Sequence, residues 1–316
     1  MAEVSGRENI IMDRRSFILL TGGALTASLW EWMTADPVAA GQIINARRIG
    51  ETGVAHVEQR VRQRRHDDDL DGGGGQLLME AAASLSTVTA LLKERSYSDA
   101  HGARLHAAAA DLARMKAWAR FDVDEECDDA TFLAALHSAH ISSNPVLGSH
   151  ILAFWSIAAY NSGRPADAET MTDAALSASR RRSTPRVEAM LLSRRARAHQ
   201  GNQHCFNDLD RATTLHVQTG DTRDDPEWVS WFDQSELLGA LASSHLDMDQ
   251  PPRAETAFRQ TAELFPTDRI RTHALFLARQ GACNWERLVL SHRFLLGFGR
   301  SVGSRREGPV SRSAGA

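Results

Sequence analysis

Lysine is almost absent from this 316-residue chain. Lys93 and Lys116 are the only two, and arginine supplies the rest of the 36 basic residues. Against 40 acidic residues they leave a net charge of −4, so no global positive field marks the chain for nucleic acid. Cysteine is scarce too. Cys127, Cys205 and Cys283 are odd in number, far apart and outside any metal-type spacing, which argues against a disulfide framework or a zinc site and suits a reducing compartment. Aromatic residues make up 6%, and strand-like alternation is nearly missing, which argues against a β-sandwich. The longest apolar run, residues 17–30, is shorter than the roughly 20 residues of a membrane span, so no integral span is expected. Catalytic signatures are missing as well: no Gly-x-Ser-x-Gly elbow, no phosphate-binding loop, no dinucleotide glycine fingerprint and no His-Glu-x-x-His. The chain therefore reads as a non-enzyme with no cofactor and no metal site.

What is present is alanine. It fills 47 positions, in a chain whose apolar residues make up an ordinary globular 42%. Alanine-rich, aromatic-poor chains favour helices that approach closely through small side chains. From Gln76 to about Arg279 helical patterns follow one another, broken near 96–98, 122–129, 142–145, 161–165, 180–185, 200–203, 219–226 and 247–252. The expected fold is all-α: a tetratricopeptide-like right-handed helical solenoid of degenerate helix pairs. In that 34-residue repeat, small residues occupy the helix crossings and an apolar residue follows. Ala168 with Ala175, Cys205 with Ala212, and Ala254 with Phe258 fit three copies, with Gly163 at a turn and Pro266 closing the last. A weaker copy centred on Asp128 breaks the small-residue rule. The same register points Tyr160 and Asn161 of one repeat, and Arg194 and Arg197 of the next, into the concave groove, where they could hold a peptide backbone or carboxylate.

Outside the repeats, residues 1–40 form an N-terminal segment and 41–75 a helix followed by an acidic, glycine-rich linker. Residues 76–279 are the repeat domain and 280–316 a divergent, largely disordered tail. Arg14, Arg15 and Phe17 ahead of the apolar run resemble a twin-arginine export motif, with Val38-Ala39-Ala40 as a small-residue cleavage site. The alternative is a first helix of the folded domain, its apolar face made by Phe17, Leu20, Ala24, Ala27 and Trp30. Arg60, Arg62, Arg64 and Arg65 read as a solvated face. Asp67, Asp69, Asp71 and Gly72 match the opening of a calcium loop, but Leu78 stands where the closing Glu belongs, so a flexible linker is the better reading. Asp225-Pro226 reads as the cap of a helix carrying Trp228 and Trp231 on one face, for core packing or for a ligand groove. His137 and His140 read as surface histidines.

Several segments carry a family resemblance: Asp13-Arg14-Arg15-Ser16-Phe17-Ile18-Leu19-Leu20-Thr21-Gly22, Leu105-His106-Ala107-Ala108-Ala109-Ala110-Asp111-Leu112-Ala113, Thr184-Pro185-Arg186-Val187 and, most distinctively, Asp224-Asp225-Pro226-Glu227-Trp228-Val229-Ser230-Trp231-Phe232-Asp233. They resemble actinobacterial transcriptional regulators in which a Cro/repressor-type helix-turn-helix precedes a long tetratricopeptide-like region. Residues 1–12 are too few for a helix-turn-helix. The resemblance therefore implies the sensor region of such a regulator. Its partner would be a protein or peptide, with no direct nucleic-acid contact by this chain and room for a homodimer. Its place would be the cytoplasm, or the cell envelope if residues 1–40 direct export.

Overall fold

The computed structural model describes residues 48–71, 74–199, 201–218, 223–264, 273–274 and 276–281. Among these the chain is all-α, with no strand and a single backbone bridge between Arg48 and Ser96. The long helices are α1 (Glu51–Asp71), α2 (Gly75–Glu94), α3 (Asp99–Asp124), α4 (Asp129–Ile141), α5 (Pro145–Asn161), α6 (Pro165–Ser179), α7 (Pro185–Ala198), α8 (His204–Gln218), α9 (Gln234–Asp247) and α10 (Pro251–Leu264). A short 3₁₀ turn, Glu227–Val229, lies between α8 and α9, and residues 276–281 are helical.

Local chemistry sets most of these boundaries. Free backbone N–H groups at helix starts need an acceptor. Ser98, Asp128, Asn144, Thr184 and Asp233 supply one, with their side chains accepting from the N–H groups of His101, Thr131, Leu147, Val187 and Ser235. Pro145, Pro165 and Pro185 open the next helices, where a missing N–H costs nothing. Three helices close alike: the N–H groups of Asn144, Arg164 and Gln250 reach back to the carbonyls of Ala139, Ala159 and His245. That closure puts the preceding residue in left-handed backbone, namely Ser143 (φ 57°), Gly163 (φ 77°) and Asp249 (φ 54°).

The helices pack by position in the chain. Each odd-numbered helix from α3 onward packs against the helix that follows it, and α1, α3, α5, α7 and α9 touch one another in succession. Small residues occupy the crossings: Ala168, Ala175, Ala212 and Ala254 are fully buried and Cys205 nearly so, while Phe258 is buried against Ala242 and Ala254. Ser149 of α5 is also fully buried, and its hydroxyl donates to the Ala175 carbonyl of α6 at 2.8 Å.

Four sequence expectations need correction. The acidic run at Asp67 does not start a linker but continues α1 to Asp71. Gln63 and Arg64 both donate to Asp67 at 2.9 Å, one helical turn away, and Val54, Val57 and Val61 are buried in one core with Leu105, Ala108 and Leu112 of α3. Nor is the arginine face wholly solvated: Arg64 is buried and ion-paired with Glu80, and Arg65 bonds to Asp111 of α3. Asp225 caps no helix. Its carboxylate lies 3.1 Å from Arg186, and only the 3₁₀ turn comes after it, so Trp228 and Trp231 do not share one helix. Finally, α2 is long and apolar enough to cross a membrane by length and composition, with a mean hydropathy of 1.2 in its best 18-residue window. Here its Leu77, Ala81, Ser84, Val88 and Leu91 are buried. The export motif (Arg14, Arg15, Phe17), Val38–Ala40, Pro266, Cys283 and residues 282–316 lie outside the described residues.

Candidate functional site

Where α1, α3, α5, α7 and α9 succeed one another, their side chains line a half-open cavity of about 290 Å³. Arg65 of α1 lies 3.8 Å from Glu227 of the 3₁₀ turn, so residues far apart in the chain meet around it. Its apolar wall comes from Trp118 of α3, Phe154 and Tyr160 of α5, Trp228 and Trp231 of the turn region, and Phe276. Phe276 occupies the space that a side chain at Gly239 of α9 would need. Trp228 stacks on the imidazole of His150 with ring centres 4.0 Å apart, and Phe154 meets the same imidazole edge-on at 5.0 Å.

Arginines are laid over this wall. Arg114 sits 4.4 Å above Phe154, Arg194 5.2 Å from Trp231, and Arg197 5.7 Å from Tyr160. Each has an acidic counterpart behind it. Asp111 accepts from Arg114 at 2.8 Å and from Arg65 at 2.5 Å, Asp247 accepts from Arg197 at 2.5 Å, and Glu236 lies 4.0 Å from Arg194. Burial alone would push the Asp111 carboxyl up, but Arg65 and Arg114 together hold it well below the usual carboxylate range.

Three groups at the α1–α3–α5 end are less well served. His150 is 1% exposed and neither ring nitrogen has a hydrogen-bond partner. Burial, with the charge of Arg114 beside it, keeps that imidazole neutral well below the usual histidine range. Arg114 is 2% exposed and its Nη1 has no partner. Asp68 makes no hydrogen bond or ion pair among the described residues. Burial, together with the negative charges of Asp69, Asp122 and Asp111 and against the pull of Arg114, pushes its carboxyl up to about 7. His150 and Arg114 are buried polar groups without a full set of partners, which are uncommon in folded proteins, and both border the cavity, whereas Asp68 is half-buried.

Of the four residues the repeat register points to the groove, Tyr160, Arg194 and Arg197 line this cavity. Asn161 does not. It is exposed at the end of α5 and its side-chain amide donates to the Ile157 carbonyl of its own helix at 2.8 Å. Sequence reasoning missed Asp68, Arg114, Trp118, His150 and Phe154. Arg114, Trp118 and Asp122, spaced by four, carried the one usable signal: a single helical stripe of cation, aromatic and acid.

No cysteine lines the cavity among the described residues. Cys127 and Cys205 lie elsewhere, and burial pushes the Cys127 thiol up to about 11 and that of Cys205 upward as well, away from the reactive thiolate. Among the described residues no group of three His, Cys, Asp or Glu side chains could hold a metal ion, and His137 and His140 are exposed on α4. No family model matches the chain, and neither a curated protein nor a solved structure shows significant similarity to it.

Proposed function

We propose that this chain is a non-enzymatic interaction module, a tetratricopeptide-like solenoid of helix pairs that holds a peptide segment of a partner along its inner wall. This is the sensor part of a regulator of the kind its sequence resembles. The helix pairing supports the repeat reading: α3/α4, α5/α6, α7/α8 and α9/α10 pack as hairpins while the odd-numbered helices stack on one another. One observation carries the functional reading. Tyr160, Arg194 and Arg197, placed by repeat register alone, converge on the cavity where arginine and aromatic side chains face one another. Planar guanidinium groups with rings beneath them suit peptide carbonyls and carboxylates. The module works in the cytoplasm. Intact mass of the protein from native cells tests this, since a mature start at Gly41 would place it outside instead.

The direct test is an array of short peptides probed with the full chain and followed by quenching of the cavity tryptophans. Peptides that bind should lose at least tenfold in affinity to Tyr160→Ala and to Arg194→Ala. Asn161→Ala, outside the cavity, should bind as the parent does. An array without binders, or binding indifferent to Tyr160 and Arg194, overturns the reading.

A further inference from the structure

We propose that the α1–α3–α5 end of the cavity is a separate small-molecule site that takes the zwitterionic head of a free α-amino acid, its ammonium at Asp68 and its carboxylate at Arg114 and His150, with an apolar or aromatic side chain along Phe154 and Trp228. The proposal shares with the preceding one only the cavity, not the ligand. Three observations lead to it. First, Asp68 lines the cavity half-buried and without an ion pair among the described residues, and Asp69 and Asp122 add negative charge around it. Secondly, Arg114 presents a buried Nη1 without an acceptor, its Nε being taken by Asp111. Asp68 and Arg114 line the same cavity, and the positive charge of Arg114 favours ionisation of Asp68, so the cavity offers an anionic and a cationic group for the two charged ends of an α-amino acid. Thirdly, the imidazole of His150, faced by the same Arg114, has both nitrogens unpaired and one face on Trp228. The whole cavity, at about 290 Å³, lies at the small end of the ligand-pocket range.

Neighbouring side chains cover the nitrogens of His150 and Nη1 of Arg114. A carboxylate that reaches them must turn the imidazole against Trp228, so tryptophan emission reports entry. Affinity also depends on pH. Besides burial, the charges that act on Asp68 are Asp69 on its own helix and Arg114, Asp111 and Asp122 on α3, while Arg65, His150 on α5, Arg194 on α7 and Glu227 on the turn line the same cavity. Because the Asp68 carboxyl ionises near 7, an ammonium group should bind about tenfold more tightly at pH 8 than at pH 6.

The experiment titrates the full chain with L-phenylalanine, L-tryptophan and L-leucine, each also as the N-acetyl acid and as the amide, following tryptophan emission. At least one free amino acid should bind, with both blocked forms weaker by tenfold or more. Asp68→Asn should remove the discrimination against the N-acetyl form and the pH dependence, yet keep the discrimination against the amide. His150→Asn should weaken recognition of the carboxylate arm alone, and circular dichroism establishes that both variants fold. If no free amino acid binds, or if blocked forms bind equally well, the site is overturned. Binding of array peptides without amino acids leaves the groove reading standing and sinks this one; amino acids without peptides do the reverse.

Discussion

At the scale of single residues, stability and recognition rest on two kinds of close contact. One is the buried charge. Asp111 is fully buried and serves two arginines at once, so the cost of burying its carboxylate is offset by Arg65 and Arg114, while Arg114 is left with one buried nitrogen unsatisfied. The other is the alanine crossing. Ala168 and Ala175 lie fully buried on α6, whereas Ala178 on the same helix is exposed. Helix axes 8–10 Å apart leave room for a methyl group and not for an isobutyl group. Ala168→Leu should therefore cost about 1–3 kcal/mol by overpacking and Ala178→Leu far less, since helix propensity changes little in either. Thermal melts of the two variants side by side check this. Equal melting temperatures would mean that Ala168 does not sit at a tight crossing.

At the scale of the element, the closures of α4, α5 and α9 share one geometry but not one residue. Glycine in left-handed backbone carries no side-chain penalty, whereas serine does. Gly163→Ala should accordingly lower stability by about 1 kcal/mol, and Ser143→Gly should raise it by about 0.5–1 kcal/mol despite the extra freedom of an unfolded glycine. Urea midpoints of both variants test it, and a loss at Ser143→Gly would show that the strain is absent. Elements were the part most legible in the sequence. The breaks at 142–145, 161–165 and 180–185 coincide with Asn144-Pro145, Gly163 to Pro165 and Thr184-Pro185 because capping and proline chemistry act locally. Reading failed where a side-chain partner, near or far in the chain, decides. The acidic end of α1 opposes the helix dipole and looks like a linker until Gln63 and Arg64 are seen to hold Asp67. Asp225 looks like a cap until Arg186, far along the chain, takes it. The cavity followed the same pattern: repeat register reached Tyr160, Arg194 and Arg197, while nothing in the pattern marks His150, set apart by its stacking and its missing partners, or Phe154, set apart by its ring contacts.

At the scale of the whole molecule, the cavity sets two titrations against each other. His150 is buried neutral, so below its unfolded pKa near 6.5 the unfolded chain binds a proton that the folded one refuses, and stability falls as pH drops through that range. Asp68 works in the opposite sense. Its folded pKa of about 7 lies above the unfolded value of 3.8, so between the two the folded state holds the extra proton. Stability from this group is full below 3.8, declines as pH rises toward 7 and is flat and lowest above it. Asp68→Asn removes that penalty. Because Asp68 is only partly shielded from solvent, the gain at pH 8 should be about 1–3 kcal/mol and not the full shift, and it should shrink toward zero near pH 4. Urea unfolding of the parent and the variant at both pH values decides the matter. An equal gain at pH 4 and pH 8 would show that charge at Asp68 is not what costs stability. A gain confined to high pH would mean that this fold carries, beside an unpaired arginine nitrogen, an ionised carboxylate that weakens it, and residues kept at such a cost are where binding sites are found.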